Sequence, residues 1–108
     1  MKRLRVEVAI KARGDLRELF LYLRDEGVSA SVAGGYLRRI DQQFRKLGDA
    51  PFIGRLRNDL QPDLRTIGFE RRATIAYRVE PKRVLIVGVF YGGRDYEALL
   101  RGDDSSDG

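Results

Sequence analysis

Apolar and polar residues alternate at the start of the chain: Leu4, Val6, Val8 and Ile10 against Arg5, Glu7, Ala9 and Lys11. That two-residue period predicts a strand with one buried face. The period then lengthens. Ala12, Leu16, Leu19, Phe20 and Leu23 recur at helical spacing and predict an amphipathic helix that stops at Gly27. Asp15 and Glu18 fall in or near its first turns, where the macrodipole favours acids. Ala33, Tyr36, Leu37, Ile40, Phe44 and Leu47 mark a second helix, capped by Ser29 or Ser31 and closed by Gly48 and Pro51. So short a link predicts an antiparallel helical hairpin. Gly34-Gly35 inside the second helix costs roughly 1 kcal/mol per glycine relative to alanine. Close packing against the first helix is the expected reason.

The second half is punctuated differently. Residues 51–62 read as a loop containing Gly54-Arg55-Leu56-Arg57, and Leu64-Arg65-Thr66-Ile67 as a short strand. Ile75, Tyr77 and Val79 then alternate with Thr74, Ala76 and Arg78, a half-buried strand. Glu80-Pro81-Lys82-Arg83 is a turn with proline at its second position. From Val84 to Tyr91 the chain is nearly all apolar, as expected of a strand covered on both faces. Residues 96–101 add a helical turn and residues 102–108 an acidic, disordered tail. The predicted order is β-α-α-β-β-β. It is an α+β domain over residues 1–101: an N-terminal strand, a helical hairpin on one face, and a three-stranded antiparallel segment completing one sheet.

Composition removes most enzyme classes. Histidine and cysteine are absent among the 108 residues, so neither Ser/His nor Cys/His nucleophile pairs can be built, nor a thiolate zinc site. The acids are scattered among arginines, which argues against a carboxylate metal centre, and no phosphate-cradling glycine loop is present. No cofactor is implied. There is no long apolar run and no leader-peptide pattern, so a cytoplasmic protein without membrane contact is expected. The net charge is +5. Without the three aspartates of the tail, 21 basic residues face 13 acidic ones, +8. Such a surface suits an acidic partner, either nucleic acid or an acidic protein segment.

Several short motifs occur in a telling order: Ala12-x-x-Asp15-Leu16, Ala50-Pro51-x-x-Gly54-x-x-Arg57, Leu64-Arg65, Ile75-x-Tyr77-Arg78-Val79 and Val87-x-Val89-x-x-Gly92-x-Arg94-Asp95. In this order and spacing the chain resembles the RelE/ParE superfamily of type II toxins, from Leu4 to about Leu100. The resemblance leaves two branches to weigh. RelE-like toxins cleave mRNA on the ribosome with basic side chains and a C-terminal tyrosine. Laid on this chain, that set gives Arg65 and Arg94. Thr74 stands where an arginine is expected, Leu100 stands at the tyrosine position, and Tyr96 is the nearest substitute. An alternative ribosome-dependent endonuclease would therefore use Arg65, Arg94 and Tyr96. The set is incomplete, and the loss of a positioned acid or base costs about 10²–10⁴-fold in rate.

The ParE branch keeps the scaffold without those residues, and the Pro-x-x-Gly-x-x-Arg loop and Arg-Asp ending resemble it. That resemblance implies a binding toxin rather than an enzyme, acting on DNA gyrase and neutralised by a ParD-like antitoxin. A member that binds antitoxin without being toxic is a third possibility. For the antitoxin the candidates are Leu16, Phe20 and Leu23 beside the helical hairpin, with Arg57, Arg65 and Arg78 meeting acidic side chains. The same leucines are also core positions by their spacing.

Overall fold

The computed structural model describes residues 3–92 and 95–102. Strand β1 (Arg5–Val8) is followed by helices α1 (Ile10–Asp25) and α2 (Ala30–Asp49). Strands β2 (Arg55–Leu56), β3 (Leu64–Phe69), β4 (Ala73–Val79) and β5 (Arg83–Tyr91) and a short helix α3 (Tyr96–Arg101) complete the fold. The five strands form one sheet in the order β1-β5-β4-β3-β2, antiparallel except that β1 lies parallel to β5. The expected α+β architecture is present. Arg94 and the tail beyond Gly102 lie outside the described residues.

One face of the sheet carries the helical hairpin. Ile75, Tyr77, Val84, Ile86 and Val89 pack there against Leu19, Leu23, Tyr36, Ile40 and Phe44. Ser29, not Ser31, caps α2, its hydroxyl accepting from the Val32 N–H at 3.2 Å. α1 starts earlier than its leucines suggested, at Ile10, so its first turn holds no acid. Asp15 is therefore no dipole partner. Its carboxylate accepts from the Val89 N–H at 2.9 Å and from Lys11 at 2.7 Å.

The paired glycines of α2 are a second departure. A Cβ at Gly34 would meet only the Arg38 guanidinium, at 3.6 Å, and one at Gly35 only Arg38 and Arg39. They do not mediate close packing of α2 on α1. Close approach occurs at Gly48 instead, where a Cβ would lie 2.5 Å from the Leu4 carbonyl oxygen.

β2 was not expected. Its two residues pair with Thr66 and Arg65, so the antiparallel segment has four strands, not three. β3 also runs on to Phe69 before the tight connection to β4, in which Glu70 and Arg71 take φ of 49° and 64°. Neither residue is the glycine or asparagine such turns prefer. A bidentate ion pair from Arg39 to Glu70, at 2.7 and 3.0 Å, holds the turn to α2.

The long apolar strand β5 is covered on both faces, through a device its sequence hid. The β4–β5 register shifts between Ala76 and Tyr77, which face Gly88 and Ile86 and leave Val87 as an extra residue. The bulge switches parity. Val84 and Ile86 before it, and Val89 and Tyr91 after it, all point to the hairpin side. Phe90 points to the other side, where Leu60, Leu64, Ala76 and Leu100 form a second cluster.

Candidate partner-binding surface

The loop after α2 is built around one buried phenol. Tyr77, fully buried in β4, donates its hydroxyl to the Pro51 carbonyl and accepts the Gly54 N–H, both at 2.8 Å. A Cβ at Gly54 would sit 2.5 Å from that hydroxyl and 3.0 Å from the Thr66 carbonyl oxygen, so no side chain fits. The third motif residue, Arg57, is 8% exposed. Its guanidinium forks onto Asp59 at 2.9 and 2.8 Å and reaches Glu97 of α3 at 2.6 Å. The Arg57 hydrogen bonds hold the Asp59 carboxyl well below its ordinary range, at about 2. The same two carboxylates, Asp59 first, raise Arg57. Pro51, Gly54 and Arg57 are thus braces.

The residues between the braces face outward. Phe52, Ile53 and Leu56 are 65%, 62% and 45% exposed. Ile53 and Ile67 line a surface hollow of about 440 Å³ beside Lys46 at the end of α2. Arg65 lies over the Phe52 ring at 5.1 Å and donates to the Gly54 carbonyl at 2.8 Å. The result is an apolar loop with cations at its margin, held rigid from beneath. Grouped exposed apolar residues with a polar rim have the chemistry of protein-contact patches.

Residues 6–96 match the family described as the ParE toxin of the type II toxin–antitoxin system parDE. The chain belongs to the ParE toxin family. It is also 35% identical over 89 residues to Toxin ParE3 of Caulobacter vibrioides, covering 81% of this chain and 85% of that protein. Among solved structures, a chain from the chromosomal ParDE system of P. aeruginosa superposes with a TM-score of 0.72, at 21% identity, over 83% of this chain and 97% of that one. This last similarity speaks to the fold.

Within this ParE scaffold the sequence-predicted residues are spread over both faces of the sheet. Leu16 and Phe20 are half-buried against the main core, and Leu23 is buried in it. Arg65 shares the hairpin face with its cross-strand neighbour Tyr77. Arg78 pairs with Leu64 on the opposite face, where it donates to Gln61 and to the Pro62 carbonyl. Arg57 is turned inward, as described. Tyr96 packs on Phe90, ring centroids 6.1 Å apart, so Arg65 and Tyr96 are on opposite faces and do not converge. Leu100 is buried beside Leu60 and Phe90. The exposed loop residues Phe52, Ile53 and Leu56 were missed. Their only signal was three apolar residues in a stretch without periodicity. Among the described residues no group of acids could hold a metal, and no helix is long and apolar enough to cross a membrane.

Proposed function

We propose that this toxin acts in the cytoplasm by binding and inhibiting DNA gyrase, and that a ParD-like antitoxin neutralises it. The observation that carries this reading is the burial of Leu100. Where an RNA-cleaving relative would need a tyrosine facing substrate, this chain has a leucine 6% exposed in a hydrophobic cluster. The placement of Arg65 and Tyr96 on opposite faces of the sheet supports the same reading. With no base or acid assembled among the described residues, the reading is of a toxin that works by occupying a surface.

For the antitoxin, the reading keeps Leu16 and Phe20 as apolar contacts and Arg65 and Arg78 as the cations met by acidic side chains. Leu23 and Arg57 support those surfaces from beneath. A segment folding as it binds could wrap from one face to the other. The test is an ATP-dependent supercoiling assay with purified toxin. Loss of supercoiling, restored by the antitoxin, is expected. Full supercoiling at a large molar excess of folded toxin refutes the gyrase target, and ribosome-dependent cuts in mRNA by primer extension would replace it with the nuclease reading.

A further inference from the structure

Beyond Ile86, one edge of β5 has no neighbouring strand among the described residues. β1 ends opposite Ile86, with a last hydrogen bond from the Ala9 N–H to the Ile86 carbonyl at 2.9 Å. β5 continues to Tyr91. The Gly92 N–H bonds back across the hairpin to Arg72 at 3.1 Å. By antiparallel alternation, the N–H and C=O groups of Val89 and Tyr91 therefore point away from β4, toward the open edge. Asp15 takes the Val89 N–H. The Tyr91 N–H and the Val89 and Tyr91 carbonyls have no hydrogen-bond partner among the described residues. Such an edge is a template for another strand.

The edge is the floor of a groove. Two hollows, of about 500 and 520 Å³, are both lined by Asp15 and Glu18 of α1. One is walled by Leu19 and Tyr22, the other by Val87 and by Leu99 of α3. Tyr22 and Leu99 are 47% and 52% exposed. Among the described residues that line it, the groove carries Asp15 and Glu18 against Lys11, opposite in sign to the protein as a whole. Lys11 is paired to Asp15, whereas Glu18 makes no ion pair among the described residues.

We propose that this groove is a docking site for an extended segment of a partner protein that alternates apolar and basic residues. Its backbone adds to β5 at Val89 and Tyr91, its apolar side chains enter the two hollows, and a lysine or arginine meets Glu18. Charge complementarity selects this occupant over the acidic segment expected at Arg65 and Arg78. The site stands independently of the gyrase reading.

The test uses the full chain, ¹⁵N-labelled, and a capped eight-residue peptide alternating valine with lysine. Saturable amide shifts are expected at Leu19, Tyr22, Val89 and Tyr91, with slowed hydrogen exchange at Tyr91. Glu18→Lys, an exposed substitution that leaves Tm unchanged, should weaken binding roughly fivefold to tenfold. Shifts centred elsewhere, equal occupancy of the groove by a valine–glutamate peptide, or unchanged affinity in Glu18→Lys would each overturn the proposal. So would concentration-dependent shifts of the same residues without peptide, which would give the groove to a second copy of the chain.

Discussion

Replacing Tyr77 by phenylalanine removes one oxygen and strands two backbone groups. The hydroxyl serves the Gly54 N–H and the Pro51 carbonyl at 2.8 Å each, inside a residue with no exposed surface. A typical buried hydrogen bond contributes about 1 kcal/mol net, and leaving a buried partner unsatisfied costs about 1–3 kcal/mol. Two stranded groups with some relaxation of the loop give about 2–3 kcal/mol. For a domain of this size that lowers Tm by roughly 10–20 °C. Urea unfolding followed by circular dichroism measures it directly. Tyr36→Phe is the internal control. The Tyr36 hydroxyl is buried with no hydrogen-bond partner among the described residues, and burial raises its pKa to about 12. The same chemical deletion there should leave stability unchanged or raise it by up to about 1 kcal/mol. Gly54→Ala should cost about 1–3 kcal/mol by overpacking, because the neighbours are a buried ring and a backbone carbonyl. Combined with Tyr77→Phe the two losses should be clearly less than additive, since the phenylalanine no longer presents the oxygen the new methyl strikes. A Tyr77→Phe loss below about 0.5 kcal/mol, or strict additivity of the pair, refutes the bracing role of the phenol.

The half-buried glycines of α2, where a Cβ would meet only arginine side chains, give the opposite sign: Gly34→Ala and Gly35→Ala should each stabilise by roughly 0.5–1 kcal/mol, raising the urea midpoint. A loss at either would mean the helix backbone is approached closely after all. Acid should weaken the fold through lowered carboxylates. Asp59 sits at about 2 because of Arg57, while Glu7 and Glu70 are lowered by hydrogen bonds from Arg83 and Arg39. A depressed carboxylate stabilises fully above its ordinary pKa and loses that contribution as pH falls through the folded value. For Asp59 the loss therefore runs from about pH 4 down to about pH 2. Asp59→Asn should flatten this part of the stability profile, and an unchanged slope would argue against the ion pair.

Periodicity carried much of the fold. Leu19, Leu23, Ile40, Phe44, Ile75 and Tyr77 are core residues where their spacing put them. What escaped was set by long-range partners. The run Val84–Tyr91 has no apolar alternation, so nothing in it locates a bulge that only the register with β4 defines. The turn at Glu70 and Arg71 is held by a distant arginine instead of turn-forming residue types. At the site, Arg57 reads as a free cation in a loop because its two acidic partners, Asp59 and Glu97, come from next door and from 40 residues later. The motif Pro51-x-x-Gly54-x-x-Arg57 was legible as a pattern. Its meaning lay in Tyr77, with which it shares no sequence neighbourhood.

The parallel pairing of β1 with β5 also sets a clock on the protein's birth. Arg5 must wait for Arg83, 78 residues further along, before the sheet can close. At about 5–20 residues per second of synthesis, that interval is roughly 4–16 s. Until then the nascent chain can form its helices but has no place to lay its first strand. A fragment released before β5 emerges lacks the strand with which both β1 and β4 pair, so its sheet cannot close. Closure of the sheet is thus a late event in the synthesis of this domain.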